Sequence, residues 1–162
     1  MKNLKDERRE YNQKFLTSDS LTEQPTELFT TWLGEAMKNE KDPTAMVLST
    51  SINGQPSSRV VLLKEVKDQE FVFFTNYASK KGREIEANNQ VALNFYWQNC
   101  ERQVRIQGVA KKISPDESKE YFDSRPYESR VGAIVSKQSD VLTNREELAS
   151  KFKEALKAAN EI

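Results

Sequence analysis

Histidine is missing from all 162 residues. Without an imidazole the chain has no Ser-His-Asp triad, no Cys-His dyad, no HExxH zinc site and no histidine base. Cysteine occurs once, as Cys100, which excludes an intramolecular disulfide and a thiolate zinc cluster and suits a reducing compartment. No sign of charge is in excess. Twenty-five Lys and Arg balance twenty-five Asp and Glu, which argues against a protein that coats nucleic acid. Apolar runs are short: the longest, such as Val60–Leu63, reach four residues, against about 20 for a membrane-spanning helix. The first residues, MKNLKDERREYNQ, lack the apolar core of a secretory signal. A soluble, cytoplasmic chain is the expectation.

What is present fits one domain of ordinary size, since domains cluster near about 100–150 residues. A chain of this length buries roughly 70% of its extended surface, enough for a core without disulfides. Eight Phe, five Tyr and two Trp separate it from a disordered chain. Residues 1–24 read as a mobile polar arm with a short helix near Lys5–Phe15, and 25–162 as a single domain. Pro25-Thr26-Glu27 opens a helix with Thr26 as its cap, and Leu28, Trp32, Leu33 and Met37 form its apolar stripe.

The middle third changes to strand character. Strands are expected at Ala45–Ile52, Ser57–Val66, Glu70–Thr75, Val91–Trp97 and Arg102–Ile113. Asn53-Gly54 and Lys67-Asp68 supply turns. A short helix spans Lys81–Asn88, and Gly108 interrupts its strand where a bulge is expected. Ser114-Pro115-Asp116-Glu117 and Thr143-Asn144-Arg145-Glu146 are capping boxes opening later helices. The fold class is therefore mainly β with flanking helices (α+β), a small antiparallel barrel.

Chemistry has to come from cations, hydroxyls and amides at strand ends. Arg59 and Lys64 bracket Val60–Leu63. Their odd spacing sends them to opposite faces of a regular strand, so they serve two anions, or one anion and one carboxylate; otherwise both merely mark where the strand meets water. Thr75, Asn76, Ser79, Lys80 and Lys81 run from a strand end into a helix start, the chemistry of a phosphate site; the plainer reading is a solvated lysine pair. Gln103 offers an amide that can both donate and accept toward a heterocycle. Tyr121, Arg125 and Ser129 gather a phenol, a guanidinium and a hydroxyl at a helix junction, with Tyr121 and Arg125 four apart on one helix face; alternatively Arg125 only satisfies loop carbonyls. Ser136–Ser139 is polar enough to be a linker and nothing more.

An ordered set of motifs carries a resemblance. RREY at Arg8–Tyr11, DPTAM at Asp42–Met46, RVVLLK at Arg59–Lys64, FFTN at Phe73–Asn76, SKK at Ser79–Lys81, ERQV at Glu101–Val104, YFDSRP at Tyr121–Pro126 and SKQS at Ser136–Ser139 together resemble the pyridoxamine 5′-phosphate oxidase family. The resemblance implies an FMN-binding split β-barrel and a homodimer with FMN between the subunits. It also implies oxidation of pyridoxamine or pyridoxine 5′-phosphate to pyridoxal 5′-phosphate with dioxygen as acceptor. By motif, Arg59, Val60, Leu63, Lys64, Phe74, Thr75, Lys80, Lys81 and Gln103 fall at the flavin. Gln138 and Ser139 reach it from the partner subunit. Arg8, Tyr11, Lys64, Tyr121, Arg125 and Ser129 fall at the substrate, with Arg8–Tyr11 as a lid-like arm. No catalytic protein base, metal, nucleic acid or membrane is implied.

Two departures stand out. Lys80 replaces a frequent arginine, keeping charge without bidentate geometry. The sequence also ends at Ile162, before the WGG and RLH-type segments with which the family continues. This motivates an alternative of another class, a flavin or pyridoxal-phosphate binding module without oxidase activity. A flavin reductase of the same barrel is disfavoured by Tyr121–Ser129, and a nucleic-acid role ranks last.

Overall fold

The computed structural model describes residues 3–12, 15–136, 138–142 and 144–159. Five strands, β1 (Ala45–Ile52), β2 (Gln55–Lys67), β3 (Glu70–Phe73), β4 (Gln90–Trp97) and β5 (Arg102–Val109), form one sheet in the order β3-β2-β1-β4-β5. Five helices accompany them: α1 (Pro25–Asn39), α2 (Lys80–Ala87), α3 (Pro115–Ser124), α4 (Tyr127–Val135) and α5 (Arg145–Ala159). None of the described helices is long and apolar enough to cross a membrane.

Turn chemistry sets the strand joints. Asn53 and Gly54 both take positive φ, 50° and 78°, and link β1 to β2 as expected. The next turn falls one residue later than the sequence predicts. Lys67 still pairs with Glu70, and Asp68 and Gln69 take the positive φ values, 49° and 66°. Gly108 stays inside β5, while a register shift appears in β2. There Leu63 faces Phe73 and Glu65 faces Val72, so Lys64 is the extra residue of a bulge. β3 stops at Phe73, short of Thr75, and β5 at Val109, short of Ile113.

The chain packs as two compact units. The first comprises Met1–Leu48, Arg59–Phe73 and Leu93–Ile106. Its core is aromatic: Phe29 meets Phe71 edge-on at 4.9 Å, Phe95 at 5.0 Å and Trp97 at 5.7 Å. Ala36, Met46, Leu48, Leu63 and Leu93 are buried as well. Each such large side chain is worth about 1.5–3 kcal/mol when fully removed from water. The Trp97 indole satisfies its N–H on the Pro43 carbonyl at 2.8 Å. α1 buries Phe29 and Ala36 and leaves Met37 60% exposed. The buried stripe thus runs through Phe29, Trp32, Leu33 and Ala36; it keeps Trp32 and Leu33 of the predicted one, is narrower, and leaves Leu28 half-buried at its edge. Thr26 is not the cap: Pro25 occupies the first turn and Gln24 precedes it without a side-chain bond. In the arm, a three-residue 3-10 turn at Leu4–Asp6 stands in place of the predicted helix.

The second unit comprises Ser49–Ser58, Phe74–Ala92 and Gln107–Ile162. Ser114 and Glu117 close the predicted capping box of α3, each side chain accepting the other's backbone N–H at 3.2 Å. α5 is capped by Asn144, whose Oδ1 accepts from Glu146 N at 2.8 Å; Thr143 lies outside the described residues. Thr50, Ser79 and Glu84, all in this unit, are the buried polar residues described.

Candidate anion-binding site

In the first unit, β2 sets the positions of Arg59, Val60, Leu63 and Lys64. Alternation turns Ser57, Arg59, Val61 and Leu63 inward. Arg59 is half-buried, and its Nη1 donates to the Leu48 carbonyl at 3.3 Å. Leu63 is 3% exposed, and its N–H donates to the Thr44 carbonyl. Val60 points outward and is 64% exposed. The bulge makes Lys64 and Glu65 consecutive exposed residues, and the inward phase resumes at Val66. Arg59 therefore lies on the inward side of β2 and Lys64 on the exposed side, as their odd spacing predicts, with Lys64 at the bulge. Gln103 is exposed on β5 and donates one N–H to Asn94 Oδ1 on β4 at 3.0 Å. Arg8 and Tyr11 are exposed on the arm. Tyr96 hydrogen-bonds Tyr11, and that bond holds the Tyr96 phenol above its ordinary pKa of 10.0.

In the second unit, the start of α2 is tightly built. Ser79 is fully buried; its hydroxyl donates to the Asn76 carbonyl at 2.6 Å and accepts from Gly82 N at 3.3 Å. A Cβ on Gly82 would lie 2.2 Å from the Tyr77 carbonyl oxygen, so this approach of helix to turn requires glycine. Lys80 and Lys81 follow in the first turn, where helix amides add positive potential. Lys81 Nζ donates to Gln138 Oε1 at 2.7 Å within the same chain. Lys80 Nζ stands 3.8 Å from Glu84 Oε1, and Thr50 Oγ1 donates to Glu84 Oε2 at 2.6 Å. Thr75 Oγ1 is buried without a hydrogen-bond partner. A buried hydroxyl left unmatched costs stability unless a ligand uses it. Ser139 is exposed at φ 73°.

The third predicted group also lies in this unit. α3 ends at Ser124, so Arg125 is its C-cap in extended conformation, φ −72° and ψ 148°. It does not share a helix face with Tyr121, because the residue before a proline is pushed out of the helical region. Ser129 sits in the first turn of α4. All three are half-buried around one helix junction. The Tyr121 ring stacks on Phe74, centroids 3.5 Å apart and 8° from parallel.

Comparison with known proteins settles the family. The family profile described as pyridoxamine 5′-phosphate oxidase matches residues 33–157. The chain belongs to the pyridoxamine 5′-phosphate oxidase family. One relative named pyridoxine/pyridoxamine 5′-phosphate oxidase, from Bacteroides thetaiotaomicron, is 47% identical over 94% of this chain and 72% of its own length. Another of that name, from Actinobacillus pleuropneumoniae, is 49% identical over 89% of this chain and 69% of its own. Among solved structures, PhzG from Burkholderia lata in complex with tetrahydrophenazine-1-carboxylic acid superposes with a TM-score of 0.84 at 27% identity, over 90% of this chain and 74% of that one. A pyridoxamine 5′-phosphate oxidase-related FMN-binding protein from Nostoc punctiforme shares the fold, with a TM-score of 0.64 at 14% identity over 82% of this chain and 73% of that one. The architecture is the antiparallel split barrel with flanking helices of this oxidase family.

Three features of the site escape the sequence reading. Lys80 and Glu84 carry the i,i+4 signal of a surface pair, but nothing in the sequence announces that Glu84 is buried on Thr50. Gly82 reads as an ordinary helix glycine until Tyr77 is seen against it. Glu101 looks like a turn residue, yet its carboxylate is 6% exposed.

Proposed function

We propose that this chain oxidises pyridoxamine or pyridoxine 5′-phosphate to pyridoxal 5′-phosphate, using FMN as cofactor and dioxygen as acceptor. The relatives' names support the substrate class. The observation that carries the reading is Thr75, a buried hydroxyl without a protein partner beside a capped helix start bearing two lysines. That donor set fits the phosphate and ribityl oxygens of FMN: hydroxyl, ammonium groups and helix amides.

Thr75, Lys80 and Lys81 hold the FMN phosphate in this account, with Arg59 as a further cation. Val60, Leu63, Lys64 and Phe74 line the flavin, and Gln103 turns its amide to the ring. Gln138 and Ser139 reach the flavin from the second subunit of a homodimer; that assembly has to accommodate the same-chain Lys81–Gln138 bond. Lys64, Tyr121, Arg125 and Ser129 clamp the substrate phosphate, and Arg8 and Tyr11 cover the substrate from the arm. When bound, FMN supplies the two-electron acceptor that dioxygen regenerates. The protein's own residues bind two phosphates and fix two rings relative to each other, so remote binding energy serves orientation. A catalytic protein base plays no part. Residues 25–162 act as one flavin domain preceded by the arm, and the enzyme works in the cytoplasm.

The test is aerobic turnover by FMN-saturated protein, read as peroxide and pyridoxal 5′-phosphate formed from pyridoxamine 5′-phosphate. Product from the phosphorylated amine and none from unphosphorylated pyridoxamine supports the reading. Folded, flavin-saturated protein without turnover leaves the binding-module alternative. Turnover of a reduced ring carboxylate instead, the class of ligand bound to PhzG, moves the substrate assignment.

A further inference from the structure

Glu101 sits in the turn between β4 and β5 with a side chain only 6% exposed. Its backbone takes φ 51°, in the left-handed region, where a residue with a Cβ is uncommon. A buried carboxylate needs partners, and two of them come from the N-terminal arm. Arg9 Nη2 donates to Oε1 at 3.1 Å, and the backbone N–H of Asn12 donates to Oε2 at 2.9 Å. The two oxygens thus grip the arm at two points three residues apart. Arg9 also lies 5.8 Å over the Tyr11 ring, and Tyr11 hydrogen-bonds Tyr96 on β4. Elsewhere the arm is exposed: Leu4 is 83% and Tyr11 61% accessible. The apolar contribution to docking is therefore small, and the grip is polar.

We infer that Glu101 is a latch, a positioning residue that docks the N-terminal arm on the β4–β5 turn and so sets where Arg8 and Tyr11 stand. The same turn leads directly into Arg102 and Gln103, so the arm is tied to the strand that carries the proposed flavin-facing amide. Arg8 and Arg9 divide the work: Arg9 anchors and Arg8 is left for substrate. The catalytic part of this inference rests on the proposed oxidase reading; the latch itself does not.

The experiment uses the full chain loaded with FMN, and two readouts keep those parts separate. Hydrogen exchange at the Asn12 amide reads the latch without reference to substrate. Glu101→Gly removes the carboxylate while suiting the left-handed backbone, so the turn is kept. Exchange at Asn12 should accelerate by about tenfold or more, the factor carried by 1.4 kcal/mol, while protection in β4 and β5 is unchanged. Glu101→Gln, which keeps an acceptor but loses the charge, should fall between Glu101→Gly and the native protein. Steady-state kinetics on pyridoxamine 5′-phosphate should then show KM raised in Glu101→Gly with kcat retained. Unchanged Asn12 exchange in Glu101→Gly overturns the latch. Accelerated exchange with unaltered KM overturns its positioning role. If native protein fails to turn over any phosphorylated vitamer, the functional reading fails, and the exchange data still decide the latch.

Discussion

The two compact units of this chain are stabilised by different means. The first holds Phe29, Phe95, Trp97, Met46, Leu48, Leu63 and Leu93 in an apolar core. Among the described residues, the buried polar side chains Thr50, Ser79 and Glu84 all fall in the second, where Val131 is the buried apolar residue. The first unit is held by close-packed apolar and aromatic side chains. The second buries hydroxyls and a carboxylate tied by hydrogen bonds, with the Thr75 hydroxyl buried without a protein partner. The buried apolar side chains are concentrated in one unit and the buried polar ones in the other, so substitutions in the two should differ in kind.

The largest effect belongs to the first unit. Phe95→Ala removes a fully buried ring that contacts Phe29 and Trp97 and should cost about 3–5 kcal/mol in urea unfolding. In the second unit, Thr50→Val deprives the buried Glu84 carboxylate of its 2.6 Å donor. A loss of roughly 1.5–3 kcal/mol is expected, the worth of a hydrogen bond to a charged group. A near-zero cost would erase the contrast between the units.

Thr75→Val sharpens the comparison from the other side. Its hydroxyl has no protein partner, so flavin-free protein should be unchanged or stabilised by about 1 kcal/mol. FMN affinity, read by fluorescence quenching, should fall by roughly 1.5–3 kcal/mol if the hydroxyl meets phosphate. Equal losses in both states would make Thr75 a packing residue.

The smallest effect is acid sensitivity of the helices. Lys119 holds the Asp123 carboxyl below its usual value, and Lys151 does the same for Glu147. A lowered folded-state pKa means stability that is present above the ordinary carboxylate range and lost as pH falls through the folded value. Both pairs are solvent-exposed, so acid unfolding should be only slightly steeper than in the Asp123→Asn, Glu147→Gln double variant.

Much of this arrangement is legible in the sequence, for local reasons. Asn53-Gly54 is a turn because both residues tolerate positive φ, and Ser114–Glu117 caps α3 because its two side chains satisfy each other's amides. The opposed directions of Arg59 and Lys64 follow from strand periodicity. What the sequence hides depends on distant partners. Lys64 becomes a bulge only through pairing with β3, and which of the apolar residues of α1 end up buried, Phe29 and Ala36 and not Met37, is decided by what the helix packs against. The site divides the same way. Lysines beside a helix start can be read from Ser79–Lys81, whereas Thr75's orphaned hydroxyl, Glu84's burial and the grip of Glu101 on Arg9 exist only in the fold.

Arg59→Ala and Lys64→Ala, compared for flavin retention and for KM on pyridoxamine 5′-phosphate, test the two-anion account most directly. Arg59→Ala should release FMN, and Lys64→Ala should weaken substrate far more than flavin, the main loss in each being roughly 1.5–3 kcal/mol. Two variants with the same losses in both measurements would contradict the account.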